Sequence, residues 1–329
     1  MKRIQVCFGY QTALQILRVV SPDALSWVRK GMHDIPTGAP GKDEIATLLE
    51  RMELTHSTLK ISRPAHVLIK TTARRRGHEE CKPHVSTKEY SPQSFYRLDG
   101  GALVSGPALA FIQMASQAKN MISLLELGYE LCGSYRTART SVSPAYQVKP
   151  LISVQWLRSY ASRNPSIDGA AKAAHVSRYL ADDSASPRET KQALVLGLPK
   201  MYGGYGLGIP WMNYEVAATP VARALAGKTY FRCDLCWPEA KLDVEYQSKE
   251  MHAGEDNRIK DTRRTNALMA MGWTVVWITN AELDSFVATE AIAQTLRRHL
   301  KIHSQTRVSE YHARKLRLRR HLGLPVGYE

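Results

Sequence analysis

Residues 230–248 read YFRCDLCWPEAKLDVEYQS, and their alternation decides the fold of the second half of the chain. Tyr230 to Trp237 and Leu242 to Ser248 are strand-like runs on either side of Pro238-Glu239-Ala240-Lys241, a tight turn. A hairpin that turns between Glu239 and Ala240 sets Asp234 directly opposite Glu245. Opposed residues hold their Cβ atoms about 4.5–5.5 Å apart. Strict alternation gathers Phe231, Cys233 and Leu235 with Leu242, Val244 and Tyr246 on one apolar face. The other face carries Asp234, Cys236, Asp243, Glu245 and Gln247. Two carboxylates held this close repel unless a cation lies between them. Hard oxygen ligands with room for water suit Mg²⁺ or Mn²⁺.

Working outward, residues 170–181 (AAKAAHVSRYLA) have helical spacing, and Asp182 to Ser186 break it. Ser186-Pro187-Arg188-Glu189 then opens a second helix with the signature of a capping box. That box accounts for Glu189 by itself. Residues 202–208 (YGGYGLG) are a Gly/Tyr-rich loop. After the hairpin, Asp256 to Met271 reads as a helix with Asp261, Arg263 and Arg264 on its exposed face and Leu268 and Met271 inward. Thr274 to Thr279 (TVVWIT) is a buried strand, and Ala281 to Leu296 a closing helix. The order is helix, hairpin, helix, strand, helix.

The run DLCWPEAKLDVEYQSKEMH, the D/R-rich helix and GWTVVWIT resemble the PD-(D/E)xK, or restriction-endonuclease-like, nuclease superfamily. They are most similar to its compact branch, which includes the very-short-patch-repair (Vsr-like) endonucleases. The resemblance covers residues 185–297 and implies an α/β fold, a mixed sheet flanked by helices. It also implies roles for four residues: Glu189 on the helix, Asp234 on the first hairpin strand, Glu245 on the second, and the following His252. Asp234 and Glu245 would hold Mg²⁺ or Mn²⁺, and His252 would assist proton transfer. The family motif usually ends in Lys, or in Asp in close relatives, where this chain has Gln247. An amide can orient a water but supplies neither positive charge nor a metal-binding carboxylate. Lys241, Lys249 and Lys260 are the nearby candidates for the missing cation.

In the first half, residues 12–30 and 42–54 have helical spacing, His66 to Lys70 reads as a strand, and Phe95 to Ser105 as a hairpin around Asp99-Gly100-Gly101. Pro107 opens another helix. The stretches TALQILR and YRLDGGALVSGPALAFIQMA are similar to the N-terminal region of AbiEi-type proteins of bacterial defence and toxin–antitoxin systems. The expected layout is a small α+β module over 1–150, winged-helix-like in one version, and a helical connector over 151–184. A nuclease domain over 185–300 and a basic tail over 301–329 complete it. The module would position substrate or bind a protein partner.

Charge locates the polyanion surface. The chain of 329 residues carries a formal +15. Residues 1–184 hold 24 Lys/Arg against 15 Asp/Glu, residues 185–296 hold 12 against 13, and residues 297–329 hold 9 against 2. Basic segments thus flank a neutral one, which favours nucleic acid, DNA in this reading, as the partner. Arg74, Arg75 and Arg76, with Arg314, Lys315, Arg317, Arg319 and Arg320, are the candidate phosphate contacts. The rival for the tail is a packed helix on Leu316, Leu318 and Leu322. With no long apolar run, no membrane span is expected, and the N-terminus does not read as a secretory leader. Five cysteines in a long chain point to a reducing, cytoplasmic setting. Cys233 and Cys236 form a Cys-x-x-Cys whose side chains should point to opposite faces of a strand, against structural zinc. The expected activity is metal-dependent hydrolysis of DNA phosphodiester bonds. The alternatives are a catalytically inactive, nuclease-fold DNA-binding regulator or antitoxin, and a zinc-dependent regulator.

Overall fold

The computed structural model describes residues 6–28, 35–98, 101–247, 255–303 and 307–327. His252, Ser248 and Lys249 lie outside these, as do Asp99 and Gly100 at the tip of the expected first hairpin. The chain is mixed α/β and divides into two compact units, Met1–Arg178 and Tyr179–Glu329.

The first unit contains β1 (Cys7–Phe8), α1 (Tyr10–Val19), β2 (Leu25–Trp27), α2 (Lys42–Thr55), β3 (Ala65–Ile69) and β4 (Cys81–Val85). It continues with β5 (Phe95–Leu98), β6 (Leu103–Ser105), α3 (Pro107–Gln117), α4 (Met121–Cys132), the short pair β7 (Tyr135–Arg136) and β8 (Ala145–Tyr146), α5 (Val154–Arg163) and α6 (Ala170–Ser177). The helix expected over 12–30 stops at Val19, because Pro22 has no N–H to continue the ladder and opens a 3₁₀ turn instead. The hairpin at Phe95 to Ser105 forms, with Tyr96 opposite Val104. Six strands make one sheet in the order β2-β5-β6-β1-β3-β4, with β1–β6 and β3–β4 parallel. A six-stranded sheet with two parallel pairs is not a winged helix. The segment expected to be a connector, 151–184, is part of this unit as far as Arg178, because α5 and α6 pack on α3.

The second unit runs α7 (Pro187–Gly197), β9 (Trp211–Ala217), α8 (Pro220–Ala226), β10 (Tyr230–Trp237), β11 (Leu242–Gln247), α9 (Glu255–Ala270), β12 (Thr274–Thr279), α10 (Asn280–Asp284), α11 (Phe286–His299) and α12 (Tyr311–His321). The sheet order is β12-β11-β10-β9. Strands β9, β10 and β11 are antiparallel in turn, and β12 returns parallel to β11 after α9. The hairpin therefore lies at the centre of the sheet rather than at its edge. Its register is the expected one, with Leu235 opposite Val244 and Cys236 opposite Asp243.

The basic tail is a packed helix. Leu318, Leu322 and Leu324 are buried, and a side chain at Gly203 would meet the Arg314 carbonyl at 2.2 Å, so only glycine lets α12 approach that turn. Lys315 is buried against the Tyr205, Phe286 and Tyr311 rings and pairs with Glu290. Arg319, 3% exposed, donates to the carbonyls of Leu283, Asp284 and Pro325. No helix among the described residues is long and apolar enough to cross a membrane. All five cysteines are free thiols and buried.

Candidate active site

Regular alternation fails at Asp234, and this failure builds the site. Hydrogen-bonded pairing of β10 with β11 runs from Trp237 to Leu235 and stops before the Asp234–Glu245 rung. In its place the Asp234 side chain turns into the hairpin, and its Oδ2 accepts the Tyr246 backbone N–H at 2.9 Å. On the other side, Cys233–Tyr214 and Leu235–Met212 bracket Asn213, which has a left-handed φ of 50°. Asparagine tolerates that conformation better than most residues. The phase of β10 shifts across this point. Phe231, Cys233 and Cys236 all pack with Ala267 and Leu268 of α9. The expectation that Cys233 and Cys236 point to opposite faces is therefore corrected, as is the placing of Cys233 away from Asp243 and Glu245.

Cys233, Asp243 and Glu245 meet instead. Their donor atoms all lie within 4.8 Å of one another, close enough for three potential ligands to share one metal ion. Asp234 is not part of this group. Asp243 is fully buried, and neither of its oxygens accepts from a backbone, hydroxyl or guanidinium donor; its side-chain neighbours are Glu245 and Cys233. Arg264 of α9 supplies the counter-charge, with its Nη2 2.5 Å from Glu245 and 3.7 Å from Asp243. This corrects the placing of Arg264 on an exposed helix face. Arg264 sits four residues before Leu268, on the face that α9 turns to the sheet.

Electrostatics follow from burial. Asp234 is pushed well above the ordinary carboxylate range by burial and by the charges of Glu245 and Glu189, against the Tyr246 N–H and Arg264. Burial raises Asp243 to about 8, with Cys233 adding to it. Burial and the neighbouring Asp243 raise Glu245 to about 9. Cys233 is raised by its hydrogen bond with Cys236 and by burial. Burial alone would lower Arg264, but Glu245 and Asp243 outweigh it and hold the guanidinium charged.

Glu189 of α7 lies near enough to Asp234 for its charge to raise that carboxyl group. Ser186 caps the helix by accepting the Glu189 N–H, as its sequence predicts. The Glu189 carboxylate accepts from the Ser186 hydroxyl at 2.8 Å, the Ala185 N–H at 3.0 Å and the Asn213 amide at 2.8 Å. The capping role is thus real, and Asn213 ties it to the sheet beside Asp234. Gln247, half-buried, follows Asp243 and Glu245 at alternate positions of β11 and pairs with Thr279 of β12. Lys241 is turned away, donating to the Met271 carbonyl. Neither Lys260, an exposed residue of α9, nor any described lysine is bonded to the cluster.

Two carboxylates and a thiol, Asp243, Glu245 and Cys233, are the group that could hold a metal ion. Asp234 and Glu245 each commit one oxygen to the bonds above, and Arg264 pairs with Glu245 and Asp243. Of the proposed phosphate contacts, Arg75, Arg76, Arg317 and Arg320 are exposed, and Arg314 is held by the Ser309 and Met201 carbonyls. The Arg74 side chain lies outside the described residues. Lys315 and Arg319 are engaged inside the fold, as their burial requires, and are removed from the set of phosphate contacts.

No family model matches the chain, and no solved structure matches it. It is similar to two curated proteins of Mycobacterium tuberculosis, "Uncharacterized protein MT2308" of strain CDC 1551 / Oshkosh and "Uncharacterized protein Rv2248" of strain ATCC 25618 / H37Rv. Each is 26% identical over 180 residues, 54% of this chain and 54% of the relative. The chain thus spans about half the length of the curated relatives it matches.

Proposed function

We propose that the second unit is a restriction-endonuclease-like domain that hydrolyses phosphodiester bonds in DNA with a divalent cation, Mg²⁺ or Mn²⁺. The observation that carries the reading is Asp234, turned into the hairpin with its carboxylate fixed by Tyr246 and set against Glu245 and Glu189. Burying carboxylates around a single arginine is unfavourable unless protons or a metal join them. The helix–hairpin–helix–strand order of this unit supports the same reading.

Asp234 and Glu245 would hold the ion, with Asp243 as a further oxygen donor behind them. A divalent cation there would polarise the scissile phosphate and lower the pKa of an attacking water. The Tyr246 N–H fixes the rotamer of Asp234, so its free oxygen is presented in one orientation. Gln247 would orient the water through its amide. Glu189, held by three donors, would accept a hydrogen bond from a water at the site. His252 is assigned proton transfer by the family resemblance alone.

A second reading, a DNA-binding regulator or antitoxin without cleavage, is favoured by one contact. Arg264 already occupies Glu245 from within, and Gln247 stands where the motif usually has Lys. Metal-dependent cleavage of a plasmid by the wild type, absent in Asp234→Asn, distinguishes the two. A regulator binds the plasmid and leaves it intact in both proteins.

A further inference from the structure

A cavity of about 860 Å³ opens at the turn end of the hairpin, within the size range of small-ligand sites. Trp211 and Tyr214 of β9, Trp237 and Glu239 at the turn, and His299 and Lys301 at the end of α11 line it. None of these belongs to the carboxylate cluster. Trp211 is 64% exposed although its strand neighbour Met212 is buried. Its ring meets Tyr214 edge-on, with centroids 5.8 Å apart, which leaves broad aromatic face uncovered. The other walls are fixed. The Trp237 indole N–H donates to the Leu207 carbonyl at 3.1 Å, and the His299 Nε2–H to the Ala240 carbonyl at 3.1 Å.

The cavity carries one cation and one acid. Lys301 is exposed at the cavity, two residues after His299 ends α11. Glu239 is the single acid among the lining residues. A flat ring system carrying a phosphate is the ligand that matches aromatic walls with a lysine beside them. A paired base within a duplex has both faces covered by its neighbours, so the ring must come from an unpaired base.

We infer that this cavity takes an unpaired base of a DNA strand, stacked on Trp211 with an adjoining phosphate at Lys301. Trp237 is three residues along β10 from Asp234, roughly 10 Å. A base held here therefore brings its strand close to the proposed cleavage site. The choice of DNA rests on the nuclease reading, whereas the stacking does not.

Binding is measured on the full chain in EDTA, so that cleavage plays no part. The probes are a short fluorescent single-stranded oligodeoxynucleotide, its duplex, and the same sequence as RNA. The single strand is expected to bind tighter than the duplex and to quench tryptophan emission. Trp211→Ala should weaken single-strand binding by about 5- to 150-fold, the range for removal of one base–aromatic stack, and leave duplex binding unchanged. Trp211→Phe should restore most of the affinity and serves as the check on folding. Lys301→Gln should flatten the slope of log affinity against log salt by about 0.7, the value for one single-strand phosphate left without its cation. Unchanged single-strand affinity in Trp211→Ala overturns the inference, as does an equal weakening for single strand and duplex. Tighter binding of RNA than of DNA overturns the choice of DNA. Stacking without metal-dependent cleavage would remove the nuclease reading and leave the cavity assignment standing.

Discussion

The carboxylate of Asp234 accepts the backbone N–H of Tyr246 at 2.9 Å, a bond between a side chain and the opposite strand where a ladder rung would otherwise lie. It satisfies a backbone donor that would otherwise have no partner, and it places an acid among Glu245 and Glu189. Asp234→Asn retains an oxygen for the Tyr246 N–H and removes a carboxylate that burial disfavours, so thermal stability should hold or rise. Asp234→Ala leaves the donor unpaired and should cost about 1–3 kcal/mol. Denaturant unfolding of the two variants checks the difference, and equal stabilities would show that the bond carries nothing.

The raised carboxyl groups set a pH dependence. Asp243 at about 8 and Glu245 at about 9 bind protons in the folded protein that the unfolded chain, with ordinary carboxylates, has released. Folded protein thus holds more protons than unfolded between roughly pH 4 and 9, and stability must fall as pH rises through that window. Melting of the metal-free second unit, followed within the full chain, should therefore shift downward from pH 5 to pH 9. Asp243→Asn with Glu245→Gln should flatten the curve. An identical slope in that double variant would place the linked protons elsewhere.

Glu189→Gln separates cap from chemistry. Glutamine also completes a helix cap, and its amide can meet the Ser186 hydroxyl while its oxygen accepts from Ala185 and Asn213. The melting temperature should therefore stay nearly unchanged. If Glu189 also serves a water at the site, cleavage should fall by about 10²–10⁴-fold, the scale of a missing acid–base or orienting group. Normal cleavage in this variant would assign Glu189 to the cap alone.

Truncation after Leu296 removes α12 and with it the burial of Leu318, Leu322 and Leu324, each contributing up to about 1.5–3 kcal/mol. Melting should drop sharply. Charge reversal of the exposed pair, Arg317→Glu with Arg320→Glu, leaves the packing intact. It should flatten the salt dependence of duplex binding by about 0.9 for each phosphate that the two arginines neutralise. A melting curve and a salt titration on the two proteins separate support of the fold from contact with DNA.

The hairpin and its register were legible because the turn at Pro238–Lys241 and the flanking alternation agree. The N-cap at Ser186 was legible for a similar reason, since it is local, although Glu189 accepts from the Ala185 N–H and the Ser186 hydroxyl rather than from the Ser186 N–H of a full capping box. Strand β9 was not, because Asn213 interrupts its pattern with a left-handed residue. The pairing of Cys233 with Asp243 and Glu245 was hidden by the phase shift at Asp234, which arises from a bond across the hairpin and leaves no mark in strand periodicity. Arg264 did carry a signal, its spacing from Leu268, but helical charges usually read as solvated. The tail shows the same competition. Its arginines suggested a phosphate surface, whereas Leu318 and Leu322, four apart, marked the buried face that the structure has.

The decisive measurement is incubation of the full chain with supercoiled plasmid in Mg²⁺ or Mn²⁺, beside folded Asp234→Asn. Nicked or linear product is expected from the wild type, abolished by EDTA, and none from the variant. Cleavage by Asp234→Asn at the wild-type rate would contradict the proposed site.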